Sequence, residues 1–304
     1  MTPRVAAVIV TWNRLRLLRR LVRALEDATV SPDVVVVVDN ASDDGTAQWL
    51  HEWSSAMPLR VVALPENTGG AGGFHEGIRA ALAEDVDLLW LMDDDGLPMP
   101  DCLERLLEGR DGWDLWGPLV VAEDDPGRLC FPVRLPRSKR VVRSVEDAAV
   151  VAHDGVIADV VIPFNGVLMT PALAEEIGLP RREFFIWGDD VEYLWRARRS
   201  GARVATLVGP RFHHPATDDL GSPMAFGLAT YNHSPSELKH YCLVRNNVTN
   251  LASYRGWWAV GAFLLKTLWF YSVTRPSPSR LRLSLSAALA AARGDFSGHR
   301  RFLS

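Results

Sequence analysis

Cysteine is scarce in this chain of 304 residues: Cys102, Cys130 and Cys242 stand without a pairing pattern or metal-ligand spacing. That argues against a disulfide framework and fits a reducing compartment. A secretory leader is not expected either, since the apolar run from Val5 is broken at once by Trp12-Asn13-Arg14. Long hydrophobic runs are nearly absent. The best candidate, residues 257–273, carries Lys266 near its centre, and it is short against the roughly 20 apolar residues of a bilayer span. Two phosphate-binding signatures are missing as well. The cluster Gly69-Gly70-Ala71-Gly72-Gly73 has no Lys-Ser/Thr ending, so it is not a P-loop. It fails the dinucleotide pattern because His75 stands where a third glycine is needed and because it follows the third strand.

What is present is ordinary globular composition, 48% hydrophobic and 23% charged, enough for a sizeable core. The net charge of −4 conceals an asymmetry. From Lys239 onward there are ten Lys or Arg and one acid, Asp295, which leaves 23 basic and 36 acidic residues before it. A basic tail on an acidic body points to an anionic surface as partner. The basic residues interleave with a Trp/Phe/Leu pattern rather than forming a hydrophilic stripe, which favours lipid over nucleic acid.

Strand and helix patterns alternate from the start. Val5–Val10 reads as a strand, and Asn13 as the cap of a helix with leucines at 15, 17, 18, 21 and 25. Five consecutive valines, Val34–Val38, suit only a strand buried on both faces. A third strand, Arg60–Leu64, leads into the glycine cluster, read as a loop that lets backbone approach a flat or phosphorylated ligand, and then a helix through Leu82. The fourth strand is Val86–Met92. The fold class that follows is α/β, with a parallel, doubly wound sheet whose ligands sit at the carboxyl ends of the strands. Thr11, Asp39, the glycines and the acids Asp93, Asp94 and Asp95 all fall at that edge.

Three carboxylates at the end of a buried strand raise one another's pKa unless a cation neutralises them. A hard divalent cation, Mn²⁺ or Mg²⁺, shared with substrate phosphates, is the simplest partner. Further along, Phe184–Trp187 reads as an aromatic strand running into Asp189 and Asp190. Those acids suit a helix N-terminus, and they also suit a general base walled from water. The pair His213-His214 follows a strand at Val204–Val208; one neutral imidazole would complete an oxygen-rich metal site. Residues 215–236 read as a loop able to close over a substrate. Helices follow at 237–254, 257–273 and 281–292. The middle one, with Trp at both ends and Arg255, Arg275, Arg280 and Arg282 around it, is expected in a membrane interface or packed on the domain.

The chain resembles the family 2 glycosyltransferases of the GT-A fold over essentially its whole length. Within them it is most similar to the galactofuranosyltransferases that build cell-wall galactan, of the type that adds the first galactofuranose residues to a polyprenyl-linked acceptor. The residues that carry this are Val38-Asp39-Asn40, the run 67–74, Trp90–Gly96, Arg128–Arg134, Phe164-Asn165-Gly166, Trp187–Glu192, His214-Pro215 and Val273–Arg275. Related rhamnosyltransferases share a similar glycine loop.

The resemblance implies a Rossmann-like, mostly parallel sheet with a C-terminal helical extension. The implied domains are a catalytic domain over 1–214, a lid over 215–236 and a basic helical region over 237–304. It implies that Thr11 and Asp39 hold the uridine, that Asn67 with Gly69 and Gly70 lines the nucleotide-sugar pocket, and that Asp93 lies near the ribose. Asp95 and His214 would hold the metal, with His213 spare, while Asp94 has no assigned task. Asp190 is the implied base, although Asp189 stands where Glu is commoner, so either acid can be the one that deprotonates. The reaction expected is a single inverting displacement, with base and metal on opposite faces of the sugar, on a polyprenyl-linked acceptor at the cytoplasmic face of the cell membrane. A nucleotidyltransferase would need a basic triphosphate loop early in the chain, where only Thr11-Trp12-Asn13 occurs. A non-catalytic sugar-nucleotide-binding protein would have no use for Asp190.

Overall fold

A computed structural model describes residues 2–136, 138, 140–216 and 221–303. The first half alternates as β1 (Val5–Thr11), α1 (Leu15–Glu26), β2 (Val34–Asp39), α2 (Thr46–His51), β3 (Leu59–Ala63), α3 (Gly69–Ala81) and β4 (Leu88–Asp93). Then come β5 (Leu97–Pro98), α4 (Cys102–Glu108), β6 (Leu115–Ala122), β7 (Arg128–Arg134), β8 (Val141–Ser144), α5 (Val145–Val151), β9 (Val156–Ala158), β10 (Asn165–Met169) and α6 (Pro171–Ile177). They are followed by α7 (Asp189–Ser200), β11 (Val204–His214), β12 (Ser222–Met224), β13 (Ala229–Tyr231), α8 (Glu237–Tyr254), α9 (Trp257–Trp269) and α10 (Pro278–Ala292).

Contacts divide the chain into two units. One holds residues 1–182 and 193–216; the other holds 183–192 and 217–304. The segment with Asp189 and Asp190 therefore belongs to the second unit. Residues 217–220 of the expected lid lie outside the described residues, and 222–231 contain the β12–β13 hairpin.

In the first unit the sheet runs β3-β2-β1-β4-β10-β6-β11-β5. β3, β2, β1 and β4 are parallel, as the alternation predicts, and β10 joins antiparallel between β4 and β6. β1 and β2 are buried from end to end because their β-branched residues fill both faces. Along β1 the alternation splits the core. Val5, Ala7 and Ile9 pack with Leu18, Leu21 and Leu25 of α1, while Ala6, Val8 and Val10 pack with Phe74 and Ile78 of α3. The edge strand β3 is mostly exposed.

Three expectations change. The glycine cluster is not a loop: α3 begins at Gly69 and contains it. A Cβ on Gly73 would lie 2.3 Å from Val10 Cγ1, and one on Gly77 would lie 2.6 Å from Val8 Cγ1. These glycines therefore bring a helix against β1, rather than freeing a backbone. Residues 184–187 form no strand, because Phe185, Trp187 and Gly188 have φ of 66°, 65° and 92°, left-handed values that break extended pairing. Asn13 does not cap α1; its own φ is 53°, and the Leu15 amide is capped by Asp44 Oδ2 at 2.8 Å from the next βα loop.

In the second unit, α8 packs against α10, with Tyr241, Cys242 and Val244 meeting Ala287 and Ala290. A second cluster joins Met224 and Tyr231 of the hairpin to Phe270 and Tyr271 after α9. All three cysteines are buried and free. Among the described residues no helix is long and apolar enough to cross a membrane.

The close approach of α3 to β1 is testable. Gly73→Ala should destabilise the protein by about 1–3 kcal/mol through overpacking. Combined with Val10→Ala, it should cost less than the sum of the two changes. Urea unfolding of the single and double variants measures both, and strict additivity would show that the two residues do not touch.

Candidate active site

The parallel register places the strand-end residues side by side. Thr11 of β1 is opposite Asp39 of β2, and Val10 is opposite Asp93 of β4; neighbouring strands lie about 4.8 Å apart. Asn40 extends this edge. Its buried amide donates to Gly69 O at 2.9 Å and its Oδ1 accepts from Thr68 N at 2.8 Å, tying the end of β2 to the start of α3. Asn67 Oδ1 accepts from Gly69 N at 2.8 Å and Asp39 Oδ1 from Ser42 N at 3.0 Å, so both side chains shape the loops that carry them. Above this floor, Gly70 is open: a Cβ there would meet nothing within 4 Å.

The acid triplet separates into three environments. Asp93 is half-buried at the end of β4, with its amide bonded to Phe164 O at 3.1 Å. Asp94 is buried, accepting the Thr11 hydroxyl at 2.7 Å on Oδ2 and Arg14 Nη1 at 3.2 Å on Oδ1. Burial pushes its pKa up to about 6 against the pull of Thr11 and Arg14. Asp95 takes the same guanidinium nitrogen at 2.7 Å on Oδ2 and faces His214 Nε2 at 3.3 Å with Oδ1. Burial would raise its pKa, but His214 and Arg14 together hold it below the usual carboxylate value. The turn beyond needs Gly96, since a Cβ there would lie 2.1 Å from the Phe212 ring.

Thr11, expected on the uridine, thus spends its hydroxyl on Asp94, which the sequence left without a task. Arg14 was not singled out at all, because an arginine opening an amphipathic helix is indistinguishable from a solvated one.

β11 supplies the histidines. His213 pairs with Leu97, and strand alternation turns it away from His214. His214 is held from behind: Nδ1 donates to Pro215 O at 2.8 Å, Cys130 Sγ lies 3.5 Å from the same nitrogen, and Phe131 meets the ring edge-on. Burial disfavours its charge, yet Asp95, Cys130 and the Pro215 carbonyl raise its pKa to about 10.

A divalent cation fits this arrangement. Asp95 Oδ1 is buried without an aligned hydrogen-bond donor, and Nδ1–H donation to a carbonyl leaves Nε2 as the ligand nitrogen, as metal-binding histidines require. Among the described residues no three His, Cys, Asp or Glu side chains converge as ligands. The protein can therefore supply two ligands, leaving the others to phosphate and water.

Asp189 and Asp190 open α7 in the second unit, with Glu192 in the same first turn. Asp189 is buried; burial, then the neighbouring Asp190, raise its pKa to about 8. Asp190 is only partly buried, and its pKa is also raised by desolvation. Burial thus disfavours the charge on both acids, and Asp190 is the one more open to a ligand.

Thr11→Val should cost about 1.5–3 kcal/mol in metal-free buffer, the value of a hydrogen bond to a buried carboxylate. The raised Asp94 pKa fixes the sign with pH. Folding binds a proton there between the ordinary carboxylate value and about 6, so this group's contribution to stability declines as pH rises through that window. The lost hydroxyl serves the ionised form, so the cost should be larger at pH 8 than at pH 5. Urea titrations at both values would refute the bond if the cost were equal or negligible.

Residues 6–115 match the family described as Glycosyl transferase family 2. The chain is 32% identical over 287 residues to galactofuranosyltransferase GlfT1 of Mycobacterium tuberculosis strain H37Rv, covering 92% of this chain and 93% of that protein. Among solved structures, S. aureus TarS 1–349 in complex with UDP-GlcNAc superposes with a TM-score of 0.59 at 14% identity, covering 95% of this chain and 81% of that one. GalNAc-T7 with UDP, GalNAc and Mn²⁺ superposes with a TM-score of 0.62 at 14% identity, covering 96% and 56%. These structures share the fold, and the full-length relative shares the sequence: the chain belongs to the family 2 glycosyltransferases.

Proposed function

We propose that this glycosyltransferase is an inverting, metal-dependent galactofuranosyltransferase. It transfers galactofuranose from UDP-galactofuranose to a polyprenyl-diphosphate-linked glycan in the synthesis of cell-wall galactan or a related polysaccharide. The observation that carries the reading is the 32% identity to a galactofuranosyltransferase across nearly the whole of both chains. Supporting it are the strand-end cluster of Thr11, Asp39, Asn67, Gly69, Gly70, Asp93 and Asp94, which offers a floor for the nucleotide.

Asp95 and His214 would hold Mn²⁺ or Mg²⁺. Bound there, the cation would neutralise the diphosphate of the leaving nucleotide. Arg14 holds Asp94 and Asp95 in place and offsets the repulsion between these two acids. Asp190 accepts the proton of the acceptor hydroxyl as that oxygen attacks the anomeric carbon, and UDP departs with inversion. Asp189, the more buried of the two, leaves Asp190 as the accessible base of the pair.

A donor screen tests this. Nucleotide release should be fastest with UDP-galactofuranose and a polyprenyl-linked acceptor; preference for dTDP-rhamnose would make the chain a rhamnosyltransferase. In the same assay Asp190→Asn should abolish transfer yet keep UDP binding. Wild-type turnover should fall as pH drops through a value above the ordinary carboxylate range, because Asp190 must be ionised. Asp95→Ala should remove Mn²⁺-dependent UDP binding by calorimetry.

The acceptor's lipid places the protein on the cytoplasmic, inner face of the cell membrane as a peripheral protein, with no nucleic acid as partner. Support comes from Trp257, Trp258, Leu265, Leu268, Trp269 and Val273, all exposed, with Arg255, Arg275, Arg280 and Arg282 in the same region. Vesicles rich in phosphatidylglycerol should carry the protein upward in flotation, and Trp257→Ala with Trp258→Ala should abolish most of that binding. Equal recovery with neutral vesicles would remove the anionic-surface reading.

A further inference from the structure

The second unit contains a set of buried polar side chains that neither a helix nor an apolar core calls for. α8 carries Arg245, Asn246 and Asn250, each at most 1% exposed, in the interior of a helix where asparagine is a poor former. With Tyr254, the asparagines recur every four residues, so they share one face.

That face meets the segment carrying the two acids. Asn246 Nδ2 lies 3.0, 3.2 and 2.7 Å from the carbonyl oxygens of Phe184, Ile186 and Trp187. Asn250 Nδ2 donates to Gly188 O at 2.7 Å, and the Tyr254 hydroxyl donates to Glu192 Oε1 at 2.6 Å. Arg245 Nε donates to Asn246 Oδ1 at 2.9 Å, which fixes the amide's orientation, and its Nη2 reaches Phe184 O at 2.8 Å. The captured stretch is the one with left-handed φ at Phe185, Trp187 and Gly188. Such a backbone persists only where its surroundings over-determine it. A Cβ on Gly188 would lie 3.2 Å from Asn246 Cβ, so the two chains approach closely.

We infer that Asn246, Asn250 and Tyr254, with Arg245 orienting the first, are positioning residues that fix the Phe184–Glu192 backbone and thereby aim the Asp189–Asp190 pair. This rests on the reading of Asp190 as the base. The residues do not touch substrate; they set where the carboxylate sits and keep the Gly188 turn closed, from which backbone hydrogen bonding reaches Asp190.

The test uses the full chain, with UDP release from UDP-galactofuranose and a polyprenyl-linked glycan acceptor. Asn246→Ala and Asn250→Ala should lower kcat about 100-fold, the scale of an ångström-sized displacement of a reacting group. KM for the donor should stay within about twofold, since the donor-side cluster is untouched. The acidic limb of the kcat–pH profile should move to higher pH as backbone donors to Asp190 loosen. Tyr254→Phe keeps the ring and should show the same limb shift with a smaller rate loss, so it carries the test if either asparagine variant fails to fold. Unmoved limbs with kcat within twofold of wild type would overturn the inference, as would kcat and KM worsening together with a lowered melting temperature. Asp190→Asn is the control: if it retains turnover, the base assignment has failed, whereas a dead control beside normal asparagine variants defeats the positioning role alone.

Discussion

Negative charge crowded at the end of a buried strand is the constraint that shapes the catalytic sheet. β4 ends at Asp93, and Asp94 and Asp95 follow it, Asp94 buried and its two neighbours partly so. A guanidinium, an imidazole and a hydroxyl meet that demand. Arg14 bridges two carboxylates, His214 faces the third oxygen, and Thr11 donates to the most buried acid. Each comes from a different strand or helix, so the sheet order, the α1 start and the long reach of β11 are all needed to assemble it. Charge neutralisation and topology here are one problem.

Where the sequence spoke through periodicity, it was legible. The valine run of β2, the leucine spacing of α1 and the strand-helix alternation through β4 predict a parallel sheet, and the structure has one. Pattern failed where packing or backbone geometry decided. Gly69–Gly73 looked like a ligand-approaching loop because composition cannot tell a backbone bared for a ligand from one bared for a strand; the contact with Val10 exists only once β1 and α3 are placed. Phe184–Trp187 looked like a strand because aromatics favour one, whereas the left-handed turns depend on amides from α8, some 60 residues away.

The site was legible to the same degree. Acids, glycines and His214 were visible as chemistry-bearing residues at strand ends, and Asp95 with His214 do meet. Arg14 was not, since its partners Asp94 and Asp95 lie some 80 residues along the chain, and Asn40 was visible only as part of Val38-Asp39-Asn40, without its tie to Thr68 and Gly69. The asparagines of α8 were hidden for a related reason: a polar residue on a long helix reads as surface until its burial is known.

Phe212 lies completely covered, and added methyls on Gly96 or Gly166 would strike its ring at 2.1 and 2.5 Å. One phenyl group is thus the common spacer beneath the turn after the acids and the start of β10. Both segments pack directly on that covered ring, so they form a single packed block. Altering which sugar the enzyme accepts is therefore a task for residues outside that block, and variation within it should surface first as lost folding.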